Sequence, residues 1–214
     1  MSTHGSNHTG TLLVVAKAPL AGRVKTRLTP HFTPQEAAGL ARAALQDTLA
    51  AVLATPARRR VLYLDGAPGP WLPDGIEVVP QCAGGLDARL AAAFALHDGP
   101  ALLIGMDTPQ VTPELLAQGL DFTGTNAWFG PAVDGGFWAL GLAEPDPALL
   151  LGVPMSAAHT GEVQRRRLTA SGRAVRDLPA LRDVDTPDDA ALVAAAAPET
   201  RFAALHAELC AAVR

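Results

Sequence analysis

Leu12-Leu-Val-Val-Ala16 runs straight into Lys17-Ala-Pro-Leu-Ala-Gly-Arg-Val-Lys-Thr-Arg-Leu28 near the start of a 214-residue chain. The first part is a short apolar run with no alternating polar face, the mark of a strand covered on both sides. The second opens a loop, Lys17 to Pro30, rich in Gly, Pro and basic residues. Next come Thr33, Pro34 and Glu36: a hydroxyl that can cap, a proline suited to the first helical position, and a carboxylate placed to close a capping box. The helix starting there is alanine-rich, can pack closely on a sheet, and is expected to reach about Leu53.

The alternation continues outward. Val61–Leu64 and Ile76–Val79 read as strands, Leu86–Leu96 as a helix after the Gly84-Gly85 turn, and Ala101–Ile104 as a strand ending at Gly105-Met106-Asp107. Thr112-Pro113-Glu114 starts another helix. Trp128–Gly130 and Phe137–Leu140 flank the turn Asp134-Gly135-Gly136 and read as paired strands. Thr160 is expected to cap a helix over Val163–Leu168, and Arg173–Arg176 reads as a strand. Thr186-Pro187 repeats the cap-plus-proline start, and Phe202, Leu205, Leu209 and Val213 give the tail a helical apolar stripe. Strands separated by helices predict βαβ units: an α/β fold with a mainly parallel sheet flanked by helices and a small antiparallel insertion. One domain over residues 11–214 is expected, behind a disordered leader, residues 1–10, without signal-peptide character.

Composition narrows the function. Hydrophobic residues make up 49% and charged residues 18%, enough for a large core and against disorder as the main state. A formal net charge of -4 argues against electrostatically driven binding to nucleic acid or an anionic membrane. The two cysteines, Cys82 and Cys210, have no ligand spacing, which excludes a disulfide scaffold or structural zinc and suits a reducing, cytoplasmic setting. No apolar run approaches a membrane span. His31, His97, His159 and His206 are scattered and read as surface residues or caps. Arg58–Arg60 and Arg165–Arg167 read as solvated faces.

In an open parallel sheet, ligands bind beyond the carboxyl ends of the strands. Three strand-following segments stand out there. Lys17, Arg23, Lys25 and Arg27 put four cations in one loop, with Gly22 permitting close backbone approach, a composition suited to a di- or triphosphate. It is neither a Walker A loop nor a Rossmann fingerprint. Asp107, directly after a strand, is placed to hold Mg²⁺ or Mn²⁺, though Asp-Thr-Pro is equally good turn chemistry. Asp183 and Asp185 alternate before the Thr186 cap, so strand periodicity puts them on one side, within reach of one metal. Gly130-Pro-Ala-Val-Asp-Gly-Gly136 is either an acceptor-binding loop, with Asp134 as base or hydroxyl partner, or a plain hairpin turn.

As a set, Ala16–Leu28, Ala37-Ala38, Asp47-Thr48-Leu49, Gly105–Pro109, Gly130–Gly136 and Asp183–Asp189 resemble a bacterial glycosyltransferase-like family associated with arsenosugar biosynthesis. That family is similar to the phosphoenolpyruvate and 2-phospholactate guanylyltransferases and, more distantly, the molybdenum-cofactor guanylyltransferases. The resemblance implies a single-domain GT-A, or nucleotide-diphospho-sugar transferase, fold. It implies phosphate binding by Lys17, Lys25 and Arg27, metal binding by Asp107 and Asp185, and an acceptor side at Asp134, Gly135 and Gly136. Lys25, Asp107 and Asp134 would then carry catalysis. Met155-Ser-Ala-Ala-His-Thr160 departs from the family's Trp-Ser-Thr. The expected activity is metal-dependent transfer of a nucleotidyl group from a nucleoside triphosphate to a small phosphorylated acceptor. The alternatives are glycosyl transfer from a nucleotide-diphospho-sugar and a non-catalytic nucleotide binder.

Overall fold

The structure is a computed structural model and describes residues 10–212. The leader expectation falls almost wholly on residues 1–9, and both these and Val213 lie outside the described residues. The elements run β1 Thr11–Lys17, α1 Pro34–Ala54, β2 Arg59–Asp65, β3 Glu77–Pro80, α2 Leu86–Ala95, β4 Ala101–Gly105 and α3 Pro113–Gly119. They continue with β5 Ala127–Pro131, β6 Phe137–Leu142, α4 Thr160–Ala170, β7 Val175–Asp177, α5 Pro187–Ala196 and α6 Arg201–Ala212.

One seven-stranded sheet has the order β3-β2-β1-β4-β6-β5-β7. β1 lies between β2 and β4, parallel to both, and β6 runs antiparallel to β4 and β5. The antiparallel insertion expected near Asp134 lies inside the sheet. β6 is wedged into the sheet and is nearly all buried. Chain length explains its direction: residues 132–136 alone join β5 to β6, enough for a hairpin and far too few for a parallel crossover.

β1 shows why its run is continuously apolar. Leu12, Val14 and Ala16 join a core under α1, with Ala38, Ala41, Leu45, Leu49 and Val52. Leu13 and Val15 join a second core on the opposite face, with Leu90 and Phe94 of α2 and Leu168 of α4. Burying each such aliphatic side chain is worth about 1.5–3 kcal/mol, so a polar residue on either face of β1 would be selected against. A third core packs the outer side of α1 (Leu40, Ala44) on Ala190 and Val193 of α5 and Phe202 of α6.

The caps read from sequence form at α1 and α5. Thr33 accepts from the Glu36 N–H while the Glu36 carboxylate takes the Thr33 N–H, and Thr186 and Asp189 repeat the arrangement. α4 differs. It begins at Thr160, whose hydroxyl donates to the Pro154 carbonyl at 2.7 Å and accepts from Ala157 N–H at 3.1 Å, closing the preceding turn instead of capping. Two expected surface groups are also structural. His97 is buried and accepts from Arg59 Nη1 at 2.9 Å, while Arg60 donates to the carbonyls of Val52 and Thr55 at the end of α1.

Asp47, buried in α1, caps another helix from a distance. Its carboxylate accepts the Arg201 N–H at 3.1 Å and the Phe202 N–H at 2.9 Å, the first free donors of α6. Asp47→Ala strands both donors and is expected to lower unfolding stability by about 2 kcal/mol in urea melts, with Asp47→Asn losing less.

Candidate functional site

The parallel strands β1, β2 and β4 end on one edge of the sheet, and a cleft of about 870 Å³ opens there. The β1–α1 loop forms one wall. Within it Lys25 adopts a left-handed backbone, φ 50°, just before a short 3₁₀ turn at Thr26–Leu28. That conformation is costly for a residue with a Cβ, and it turns the side chain inward. The Lys25 ammonium ends 2.8 Å from Asp107 Oδ1 and 3.0 Å from Asp185 Oδ1. Its side chain is only 8% exposed, against 36% for each carboxylate. Burial alone would depress the Lys25 pKa, but the charges and hydrogen bonds of Asp107 and Asp185 outweigh it, so the net shift is upward and the ammonium stays charged.

Two further links fix this arrangement. Val184 N–H donates to the Asp107 carbonyl at 2.9 Å, and Gln110 Nε2 donates to the Arg182 carbonyl at 2.7 Å. They draw the segment before α5 onto the end of β4. Asp183 lies in the same wall with a buried Oδ1 that has no hydrogen-bond partner. Burial, then the charges of Asp107 and Asp134, push its pKa up to about 7 against the opposing pull of Lys25.

The sequence-selected residues divide clearly. Lys25, Arg27, Asp107 and Asp185 converge, with Arg27 Nη1 3.3 Å from Asp185 Oδ2. Lys17 and Arg23 line the same cleft, and both are exposed. Asp134 and Gly136 line the cleft with the Met155–Thr160 turn. Gly22 and Gly135 are not among its lining residues. Gly22, at φ 74°, turns the exposed loop, whereas Gly135, at φ 90°, packs on the Met155–Thr160 turn: its carbonyl accepts from Gly161 N–H at 2.8 Å, and a Cβ would overlap the Ala158 carbonyl oxygen. Asp134 Oδ1 accepts from Gly136 N–H at 2.9 Å, as a hairpin turn requires.

One cluster was missed from sequence. Gln81, just after β3, donates through Nε2 to the carbonyls of Ala16 and Tyr63 at 3.0 and 2.8 Å. Its Oε1 accepts from Arg89 Nη1 at 3.1 Å, and Arg89 pairs with Asp65 at 2.9 Å. Gln81 and Arg89 both line the cleft. The available signal was position alone: each of Asp65 and Gln81 ends or follows a parallel strand on the ligand-binding edge.

The oxygen donors suit a hard divalent cation in part. Among the described residues no group of three or more His, Cys, Asp or Glu side chains forms a ready-made metal cage. Mg²⁺, however, is commonly held by one or two carboxylates and completed by water and substrate phosphate. Asp107 and Asp185, both aimed at one Nζ atom, meet that demand, and the unpartnered Asp183 Oδ1 adds an oxygen to the same wall.

Substitution separates packing from contact at the hairpin. Gly135→Ala is expected to cost about 1–3 kcal/mol in denaturant melts, because it combines an unfavourable positive φ with overlap against backbone. Gly136→Ala, whose Cβ would meet the Asp134 carboxylate first, at 3.1 Å, is expected to cost less.

Comparison with known proteins places this fold in a wider group. No curated protein matches the chain significantly. A Desulfovibrio desulfuricans G20 structure, named for nucleotide-diphospho-sugar transfer, is 25% identical with a TM-score of 0.85, over 94% of this chain and 95% of that one. The 2-C-methyl-D-erythritol 4-phosphate cytidylyltransferase of Thermus thermophilus is 18% identical with a TM-score of 0.54, over 89% and 99% of the two chains. A Methanothermobacter nucleotidyl transferase is 17% identical with a TM-score of 0.55, over 86% and 95%. The architecture is thus that of the nucleotide-diphospho-sugar transferase fold. A family model matches residues 39–157, more than half of the sequence, and the chain belongs to that family, described as an uncharacterized protein conserved in bacteria (DUF2064).

Proposed function

We propose that this chain is a divalent-metal-dependent transferase that binds a nucleoside triphosphate and passes its nucleotidyl group to a small phosphorylated acceptor, releasing pyrophosphate. The observation that carries the reading is the convergence of Asp107 and Asp185 at the carboxyl edge of the sheet, beside the cations Lys17, Arg23 and Arg27. Asp107 and Asp185 would hold the metal, which when bound supplies Lewis-acid stabilisation of charge on phosphoryl oxygens. Lys17 and Arg23 make no side-chain ion pair among the described residues and line the cleft, so they are available to neutralise phosphate. Transfer of this kind rests on positioning and fixed charge, with no covalent enzyme intermediate required. On the opposite wall Asp134 keeps Oδ1 in its turn, leaving Oδ2 to accept from an acceptor hydroxyl. A non-catalytic binder is disfavoured because both acids and the whole basic loop are intact.

A second reading, glycosyl transfer from a nucleotide-diphospho-sugar, draws on the Desulfovibrio relative, whose name carries that activity. Fold alone does not choose between the two. A triphosphate calls for more cations than a diphosphate leaving group, and the cation-rich loop favours the first.

Two measurements test the proposal. Asp107→Asn and Asp185→Asn are each expected to weaken Mg²⁺–nucleotide binding in calorimetry by about tenfold or more, since a lost charge-assisted contact of about 1.5–3 kcal/mol exceeds the 1.4 kcal/mol of one decade. Wild-type affinity in both would refute the metal assignment. Lys17→Ala is expected to weaken triphosphate binding far more than nucleoside binding. A thermal-shift screen of CTP, GTP, UTP and ATP against UDP- and GDP-sugars with Mg²⁺, followed by a pyrophosphate-release assay on phosphorylated acceptors, decides the reaction. Stabilisation by a nucleotide-sugar alone, with nucleoside diphosphate as product, would replace nucleotidyl transfer by glycosyl transfer.

A further inference from the structure

Lys25 sits where the proposed function needs a different cation. Its ammonium is within 3.0 Å of one oxygen from each of Asp107 and Asp185, and its side chain is the most enclosed of the three. Lys17 and Arg23, in the same loop, are exposed and without ion pairs among the described residues. Of this basic loop, the structure thus commits its best-buried member to the acids and leaves two exposed members toward the cleft.

Resting on the metal-and-nucleotide reading above, we infer that Lys25 is a placeholder cation: it neutralises Asp107 and Asp185 in the ligand-free protein, and a divalent ion binds there only by displacing it. Asp185 already takes two cations on separate oxygens, Lys25 on Oδ1 and Arg27 on Oδ2, but a metal ion on the same Oδ1 atoms of Asp107 and Asp185 would lie against the ammonium. At about 4 Å, two unit charges in a partly buried site repel by several kcal/mol. A metal arriving alone must therefore expel an ammonium into a region holding other cations. A metal arriving with a polyphosphate supplies the anion that the displaced ammonium needs. The consequence is coupling. Metal alone binds weakly, nucleotide strengthens metal binding, and by linkage metal strengthens nucleotide binding by the same factor. The side chain has the means to move, having a flexible four-carbon stem.

The test is direct titration of Mn²⁺, followed by electron paramagnetic resonance or calorimetry, without turnover. Wild-type protein should bind Mn²⁺ alone weakly. Lys25→Met, which keeps the length and removes the charge, should bind it at least roughly tenfold more tightly, within the usual range of coupling between sites. Lys25→Arg should stay weak. A non-hydrolysable triphosphate should tighten Mn²⁺ binding to the wild type by a larger factor than in Lys25→Met, where direct phosphate coordination of the metal is all that remains. Equal or weaker Mn²⁺ binding by Lys25→Met overturns the placeholder role, as does absence of Mn²⁺ binding from every variant.

A second measurement needs no variant. Lys25 should react slowly with an amine-acylating reagent in the ligand-free protein, faster with saturating Mn²⁺, and slowly again once triphosphate is added, read by peptide mass spectrometry. Lys25 labelling unchanged by Mn²⁺ overturns the inference. The nucleotide reading fails separately: if Lys25→Met gains Mn²⁺ affinity and Mn²⁺ exposes Lys25, but no nucleotide binds, the placeholder stands and nucleotidyl transfer does not.

Discussion

The ion pairs of Lys25 with Asp107 and Asp185 tie together three parts of the chain that are far apart in sequence: the loop after β1, the end of β4 and the segment before α5. A charge taken out of water is costly unless paired. Each of the three segments therefore depends on the other two to be where it is. The Val184 N–H to Asp107 carbonyl bond repeats the same junction in the backbone. This cluster fixes the cationic wall of the cleft, and it explains why Lys25 keeps a left-handed backbone with a full side chain.

Beneath the cleft, the sheet supplies rigidity. β1 is central, parallel to its neighbours on both sides, and buried on both faces, so its last residue is held to the precision of the core. β5 ends at the same edge and carries the Asp134–Gly136 hairpin there, and β6 returns from it. Its antiparallel insertion places the hairpin across from the basic loop, and the Met155–Thr160 turn docks on it through the backbone of Gly135. The cleft therefore has a cationic wall fixed by ion pairs and an opposite wall fixed by backbone packing. The two walls are joined at the back: Val133 N–H donates to the Leu181 carbonyl at 2.9 Å and Leu181 N–H to the Pro131 carbonyl at 3.1 Å, so the hairpin also holds the segment that carries Asp183 and Asp185.

Elsewhere the molecule uses polar side chains as ties between elements. Asp47 closes the start of α6, Arg60 the end of α1, and Gln81 bridges the carbonyls of β1 and β2. Each satisfies backbone groups that would otherwise be left without partners near the core. Arg60 and Gln81 read, in sequence, as ordinary polar residues, and Asp47, though part of the Asp47-Thr48-Leu49 segment, shows nothing there of a partner more than 150 residues away.

Much of the fold was legible in the sequence because its determinants are local. The apolar run Leu12–Ala16, the Thr33-Pro34-Glu36 and Thr186-Pro187 starts, and the glycine turn at Asp134–Gly136 act over a few residues, and each formed the element expected of it. The site residues were legible as positions, since strand ends gather on one edge of a parallel sheet. Their pairing was not. Lys25 read as a free phosphate ligand because nothing within the loop reveals two acids 82 and 160 residues further on. Thr160 read as a cap because its true partners, Pro154 and Ala157, depend on a turn shaped by the hairpin. Gly135 read as room for a ligand when the space belongs to Ala158. Sequence by itself determined which segments become strands and helices and which charges lie at their ends, because backbone preference and apolar period act locally. Only the tertiary structure decided which charges meet, which glycines touch the cleft and where β6 inserts, because these depend on contacts between residues that neighbour each other only after folding.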